Sequence, residues 1–165
     1  MIIMYDSVEL STIPRTAAAV AGYVGGFWPT FKYLRPRWPH ARLLSIAVQP
    51  DQDAGALDVE KGDAQPAEVP AWVRRQHRRG EARPILYAAL SQMPVVLHEL
   101  ERAGVSRKSY RLWSAHWTGT PHFCDSSCDP EFHDRAGATQ FTNRALGRNL
   151  DASAVMGDWW FPRDS

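Results

Sequence analysis

Residues 56–63 read ALDVEKGD, a short apolar run that ends among the carboxylates Asp58 and Glu60. Comparable apolar runs, each ending near a polar or aromatic residue, lie on both sides of it. Short runs of this kind, bounded by Gly, Pro, Asp or Ser, are typical of β-strands. The sequence predicts eight strands, at residues 2–5, 20–24, 43–48, 56–59, 84–88, 110–115, 138–141 and 154–156.

Helices are predicted between some of these strands. Residues 66–79 and 91–103 carry apolar side chains at helical spacing, with a proline in the first turn. Gly80 and Gly104 follow them directly and are typical helix stops. Shorter helices are predicted at residues 13–20 and 30–34, and a loop without periodicity at residues 117–137.

Alternating strands and helices favour parallel strands joined by right-handed crossovers, and eight strands indicate a (β/α)₈ barrel of the TIM type. Such barrels usually need about 250 residues, whereas this chain has 165. We therefore expect one α/β domain over residues 1–165, a compact, abbreviated barrel with short or missing helices. An open doubly wound sheet is the competing architecture, but no strand is followed by a Gly-rich phosphate-binding loop.

Composition excludes several functional classes. Nineteen basic residues against eighteen acidic ones give a formal net charge of +1, which is too small to indicate nucleic acid or an anionic membrane as a partner. No apolar run is long enough to span a membrane. The N-terminal MIIMYDSVEL lacks the basic start of a signal peptide. We expect synthesis in the cytoplasm, so action outside the cell or on a cell wall requires release or carriage in a virion.

Carboxylates occur where the predicted strands end, and a barrel of this type places its active site at the C-terminal strand ends. Asp6 ends the first strand, Asp58 and Glu60 end the fourth, and Asp151 precedes the eighth. Residues two apart on a strand face the same side, about 6 to 7 Å apart. Glycoside hydrolysis needs such a pair, with pKa values separated by burial and mutual repulsion. The alternative is a solvated pair on an exposed edge strand.

Six motifs, in order, resemble the strand-end motifs of the family 25 glycoside hydrolases, the muramidase lysozymes that cut peptidoglycan. They also resemble those of related glycoside-hydrolase-like barrels of actinobacteria and their phages. The motifs are YDS (5–7), LDVEKGD (57–63), RPILYA (83–88), LWSAHW (112–117), ATQF (138–141) and NLDAS (149–153). The resemblance covers most of the chain. It implies a barrel that acts on a peptidoglycan-like glycan without a cofactor or a catalytic metal.

The resemblance also implies roles for individual residues. Glu60 matches the general acid, and Asp58 matches the neighbouring carboxylate that assists an oxocarbenium-like transition state. Asp6 is the supporting catalytic carboxylate, and Asp151 flanks the substrate site. The residues expected to line the sugar subsites are Tyr87, Trp113 and Gln140.

The chain departs from the lysozyme pattern at two strand ends. The third predicted strand lacks the usual Tyr-His-Phe cluster, and the second lacks the usual Lys and acidic residue. His116 stands where the lysozymes often have another polar or aromatic residue. Two interpretations of His116 remain open: a substrate-binding residue of a modified site, or a half-buried histidine bonded to a backbone carbonyl.

These departures leave two functional hypotheses. The first is a glycosidase acting on peptidoglycan or a related cell-wall glycan. The second is a catalytically inactive barrel that binds glycan or serves as a structural component, for example of an actinobacterial phage particle. Trp159, Trp160 and Phe161 are expected to plug the barrel core or to mark a particle or homo-oligomer interface.

Residues 122–133, HFCDSSCDPEFH, contain both cysteines of the chain, Cys124 and Cys128. A disulfide that closes this small loop, two free thiols and a zinc site are three open alternatives. For zinc, the four ligands in sequence would be His122, the two cysteines and His133, although this spacing is not a common zinc pattern.

Overall fold

The computed structural model describes residues 1–157 of the 165-residue chain. Within them, eight strands close into one barrel in sequence order, β1 to β8. The predicted tryptophan-rich segment at 159–161 lies outside the described residues. The strands are β1 Ile2–Asp6, β2 Ala19–Tyr23, β3 Arg42–Ala47, β4 Ala56–Asp58, β5 Ile85–Ala89, β6 Arg111–Ala115, β7 Ala138–Thr142 and β8 Asp151–Val155.

The last strand runs against the others, so the expectation of an all-parallel barrel was wrong. Neighbouring strands from β1 to β7 pair in parallel, whereas β8 pairs antiparallel with both β7 and β1. The reason lies in the turn within the connection of residues 143–150. Leu146 and Gly147 there have positive φ values of 56° and 70°, and Ala145 N–H donates to the carbonyl of Leu150 at 2.8 Å, so the chain folds back on itself. The barrel is therefore mixed.

Helices are few and short, as the length of the chain predicted. Three α-helices are present among residues 1–157: α1 Leu34–Arg37, α2 Val69–Arg78 and α3 Met93–Arg102. Short 3₁₀ turns precede each of them, at Phe31–Tyr33, Pro66–Glu68 and Leu90–Gln92. Gly80 and Gly104 follow α2 and α3 with φ of +94° and +69°, which confirms them as helix stops. None of the helices in this part of the chain is long and apolar enough to cross a membrane.

The predicted helix at residues 13–20 is absent. Only a 3₁₀ turn, Leu10–Thr12, precedes β2 in this region. Ile13 is extended, with φ of −75° and ψ of 129°, because the ring of Pro14 disfavours helical geometry in the residue before it. The chain therefore enters β2 at Ala19 without a helical turn after Ile13.

Alternation along each strand divides the apolar side chains between two layers. One set fills the barrel interior and includes Met4, Ala56, Ile85 and Val155. The other set packs outside the sheet under α2 and α3, where it meets the buried Trp72 of α2. Because residues two apart share a face, the inward-facing rows of β1 and β4 end in Asp6 and Asp58. The interior is thus apolar along its length and acidic at one mouth.

Candidate active site at the barrel mouth

Seven of the eight predicted site residues line one cavity at the C-terminal ends of the parallel strands. The cavity has a volume of about 250 Å³. Its predicted members are Asp6, Asp58, Glu60, Tyr87, Trp113, Gln140 and Asp151. Tyr23, Trp117, Asn143 and Asn149 complete much of the remaining wall.

Asp151 reaches this mouth because β8 is antiparallel. The first residue of a reversed strand lies level with the last residues of its neighbours, and Asp151 pairs directly with Asp6 in the β1–β8 ladder. In an all-parallel barrel the start of β8 would lie at the opposite mouth. The antiparallel direction of β8 was not predicted from the sequence, yet it is what places Asp151 beside Asp6, as predicted.

Asp6 and Asp151 form a carboxyl pair. Asp6 is 2% exposed, and burial, the charge of Asp151 and a hydrogen bond with Asp151 raise its pKa well above the ordinary range. Burial raises the pKa of Asp151 to about 6, while its hydrogen bond with Asp6 opposes the shift. Two close carboxyls cannot both ionise cheaply. The hydrogen bond raises the pKa of Asp6 and opposes the rise at Asp151, so Asp6 is the proton donor of the pair and Asp151 the acceptor.

Asp58 is the second buried carboxyl of the mouth. It is 6% exposed, and its Oδ1 has no hydrogen-bond partner. Burial, followed by the charges of Glu60, Asp63 and Asp151, raises its pKa to about 8. A buried polar atom without a partner is costly in a folded protein. Asp58 is consequently neutral at pH 7 for most of the time, with one oxygen available to a ligand.

Glu60 lies just past the end of β4 and is only partly buried. Burial and the charge of Asp63 raise its pKa, and the nearby Tyr87 hydroxyl opposes the shift. Glu60 also lines two further cavities, of about 300 and 440 Å³. We call these three cavities together the mouth groove. Glu60 is the residue common to all three, so its carboxyl lies where the parts of the groove meet.

Aromatic and amide side chains hold the floor of the cavity in place. Tyr87 Oη and Trp117 Nε1 both donate to Gln140 Oε1, at 2.9 and 2.7 Å. The Trp113 ring packs edge-on against Tyr87 with centroids 4.6 Å apart, and Trp113 Nε1 donates to Ser153 Oγ at 3.0 Å. These bonds span β5, β6, β7 and β8, so the floor is fixed by the barrel itself.

Five wall residues were not among the predicted site residues: Tyr23, Ile46, Trp117, Asn143 and Asn149. Tyr23 ends β2 on the inward face, and counting alternate residues from Ala19 and Ala21 would have found it. Asn143 and Asn149 lie in the short β7–β8 connection. No periodicity marks them, because their position depends on the reversal of β8.

His116 is the predicted site residue that does not line this cavity. The inward-facing residues of β6 are Trp113 and Ala115, so the next residue projects away from the barrel interior. Its ring instead joins His122, Cys124 and Cys128, which form a second polar cluster in the loop of residues 117–137. His116 nevertheless lines the part of the mouth groove of about 440 Å³ together with Glu60 and Trp117, so its role in substrate binding stays a prediction.

The second cluster also bears on the cysteine alternatives. Both cysteines are free thiols, Cys124 buried and Cys128 half-buried. Burial raises the pKa of the Cys124 thiol to about 11. His133, the fourth zinc ligand suggested by the spacing, lies elsewhere, in a cavity beside α3. The cluster therefore contains His116 in place of His133, the ligand that the sequence spacing suggested.

Searches with this chain against protein-family models, curated proteins and solved structures find no match.

Proposed function

We propose that this protein is a glycoside hydrolase of the family 25 muramidase type that acts on peptidoglycan or a related cell-wall glycan. The observation that carries the proposal is the convergence of four carboxyls with raised pKa values, those of Asp6, Asp58, Glu60 and Asp151, at one barrel mouth. The barrel itself is proposed to be an abbreviated (β/α)₈ barrel, since β1 to β7 are parallel and α2 and α3 follow β4 and β5.

Glu60 is assigned as the general acid. A general acid must hold a proton near neutral pH and must reach the leaving oxygen of the scissile bond. Glu60 and Asp58 both have raised pKa values. Access distinguishes them, because Asp58 is buried in the wall, whereas Glu60 is only partly buried at the junction of the mouth groove.

Asp58 is assigned to the developing positive charge of the sugar ring, which it stabilises as the carboxylate. A positive charge beside the group favours this ionised form and opposes the rise in pKa that burial causes. Its unpaired Oδ1 and its buried position allow a direct contact with the substrate that water does not screen. The Asp6–Asp151 pair contributes one negative charge on the opposite side of the cavity, across the barrel from β4. Together these groups supply the electrostatic stabilisation that an oxocarbenium-like transition state needs.

The shape of the mouth groove favours a polymer over a small glycoside. Beyond Asp58 and Glu60 the groove continues to Phe27 and Trp28, which are 96% and 61% exposed. On the other side it continues past Trp117, which is 60% exposed. Flat aromatic faces at both ends suit a chain of sugar rings, with the carboxyls placed between them.

The experiment is hydrolysis of purified actinobacterial cell walls, followed by the release of reducing sugar. The wild type should be active, and Glu60→Gln should lose activity by at least about 100-fold. Glu101→Gln, an exposed carboxylate on α3, is the matched control and should retain wild-type activity. Equal activity in Glu60→Gln and the wild type would contradict the assignment of Glu60.

The second candidate is an inactive barrel that binds the same glycan, as a module or as a component of an actinobacterial phage particle. It is favoured by the apolar Ile46, which lines the cavity at the end of β3, where the family has polar residues. This candidate expects the wild type to co-sediment with cell walls without releasing reducing sugar. The hydrolase proposal expects both binding and release.

A further inference from the structure

Four metal-ligand side chains converge outside the mouth cavity. The ligand atoms of His116, His122, Cys124 and Cys128 all lie within 4.8 Å of one another. His116 follows β6, while the other three belong to the irregular segment of residues 117–137. Their separation in the chain means that the loop must fold back on the end of β6 to bring them together.

The interatomic distances match a tetrahedron. With zinc–nitrogen bonds near 2.0–2.1 Å and zinc–sulfur bonds near 2.3 Å, tetrahedral geometry requires about 3.3 Å between nitrogens and about 3.6 Å between nitrogen and sulfur. His116 Nδ1 and His122 Nε2 are 3.1 Å apart. Cys124 Sγ lies 3.7 Å from His116 Nδ1 and 3.6 Å from His122 Nε2. Three edges of the tetrahedron are therefore already at coordination length.

The second nitrogen of His122 fixes the tautomer that coordination requires. His122 Nδ1 is 2.8 Å from the carbonyl oxygen of Thr120, which accepts hydrogen bonds only. Nδ1 therefore carries the proton, and the lone pair of Nε2 points into the cluster. Ligating histidines in metalloproteins use their other ring nitrogen in this way.

The buried thiol is held by the barrel. The backbone N–H of Cys124 donates to Thr139 Oγ1 at 3.0 Å, and its carbonyl accepts from Ala136 N–H at 2.9 Å. The backbone N–H of His116 donates to the backbone carbonyl of Gln140 at 2.9 Å. Bonds to β7 therefore help to position two of the four ligands, His116 and Cys124.

A hydrogen-bonded pair of histidines accounts for only part of this arrangement. It explains the contact between the two rings, but not the approach of two thiols, which are weak hydrogen-bonding groups. An ion that prefers nitrogen and sulfur ligands explains all four positions. Oxygen-preferring ions such as Mg²⁺ and Ca²⁺ do not suit the set.

We propose that His116, His122, Cys124 and Cys128 bind one Zn²⁺ ion in a closed, structural, tetrahedral site. On binding, each thiol releases its proton to solvent and its sulfur forms a bond to the metal, so two protons leave for each ion bound. With four protein ligands no position stays open for water, so the ion has no hydrolytic role. The site is independent of whether the mouth groove hydrolyses a glycan.

The consequence for the molecule is a fixed wall of the mouth groove. Residues 117–137 form a long segment without helix or strand, and such segments seldom keep one conformation without a staple. Trp117 follows the ligand His116 directly, and Cys128 lines the same cavity as Glu60. Zinc would tie this segment to the ends of β6 and β7 beside the proposed general acid.

The test is metal titration of the full chain, reduced and stripped of metal, with Zn²⁺ against a chromophoric chelator and with Co²⁺ alone. We expect one ion per chain and a Co²⁺ spectrum with the intense visible bands of tetrahedral coordination and a sulfur-to-cobalt charge-transfer band. Cys128→Ser and His122→Ala should weaken Zn²⁺ binding by at least 100-fold. His133→Ala, the other histidine of the loop, is the control and should bind like the wild type.

Three results would overturn the proposal. The first is fewer than about 0.2 ions per wild-type chain, and the second is equal loss of affinity in His133→Ala and His122→Ala. The third is a folded protein that, before any reductant is added, holds no metal and has an intact mass two hydrogens short, which indicates a Cys124–Cys128 disulfide. The wild-type stoichiometry and spectrum decide the matter even if a variant fails to fold, and circular dichroism of each metal-free variant identifies such a failure.

Discussion

The mouth cavity and the histidine–cysteine cluster are neighbours built in different ways. The cavity takes its carboxyls from inward-facing strand positions and from the residue just past β4, in a ladder that closes on itself. The cluster takes three of its four members from a segment without regular structure. Carboxyls of like charge can be held together only by a rigid frame, whereas a loop needs an attractive partner to converge. The barrel therefore holds the carboxyls of the mouth cavity close together, whereas a bound ion would hold the loop of the cluster in one conformation.

The largest expected effect concerns the carboxyls of the mouth cavity. Asp58→Asn keeps the shape of the side chain but cannot become negative, so hydrolysis of cell walls should fall about 100- to 1,000-fold. Asp51→Asn, on an exposed turn after β3, is the control and should be neutral. Initial rates of reducing-sugar release measure the difference. Less than a threefold loss in Asp58→Asn would remove Asp58 from the mechanism.

The second prediction concerns the effect of the buried Asp58 carboxyl on the stability of the fold at different pH values. The pKa of Asp58 is about 8 in the folded protein, against an ordinary value of 3.8. The folded state therefore binds more protons than the unfolded state between about pH 4 and pH 8. The stabilisation is complete below this window and is lost as pH rises through 8.

Asp58→Asn removes this titration, because the amide stays neutral at every pH. Its Tm should exceed that of the wild type by about 5 °C or more at pH 9, while the two proteins should unfold at similar temperatures near pH 4. Thermal unfolding at pH values from 4 to 9 measures both. A constant difference in Tm across that range would contradict the buried, protonated state of Asp58.

The third prediction concerns the loop. Zn²⁺ should slow proteolysis within residues 117–137 by about tenfold, because cleavage requires local opening of the segment. Cleavage in the exposed turn that contains Phe27 should keep its rate, since that turn contains no ligand. Mass spectrometry of the fragments separates the two sites. Protection of both segments, or of neither, would be incompatible with a loop-specific ion.

The smallest expected effect concerns the far end of the mouth groove. Trp28→Ala should raise KM for the glycan by about fivefold with little change in kcat, since an exposed aromatic platform contributes about 1 kcal/mol to binding. Tyr33→Ala removes an exposed aromatic that lines none of the three cavities and should leave KM unchanged. A loss confined to kcat would place Trp28 in the chemistry instead of in substrate binding.

The same contrast separates what the sequence predicted from what it did not. All eight strands were located within a few residues, and the alternation of inward and outward side chains is a local property. It placed Asp6 and Asp58 at one mouth, and applied to β6 it would have kept His116 out of the cavity. The direction of β8 depends on the turn within residues 143–150, and hydrophobic periodicity does not predict such a turn.

The loop was beyond prediction for a different reason. The linear pattern favoured His133 as the fourth zinc ligand, but Phe132 is fully buried in the core under α2 and α3. Burial of that ring draws the end of the segment away from the cysteines, and His133 faces a cavity near Arg107. His116, before the loop, takes the place that spacing alone gave to His133. Tertiary packing therefore decides the ligand set.

The central claim is that the carboxyls at the barrel mouth cleave a glycan. The most direct measurement is digestion of purified cell walls in ¹⁸O-labelled water, with the new reducing ends identified by mass spectrometry. We predict one ¹⁸O atom in each new reducing end with the wild type, and no such product with Glu60→Gln, which should still co-sediment with the walls. Walls that bind the wild type and yield no labelled ends would contradict the claim and leave a glycan-binding barrel in its place.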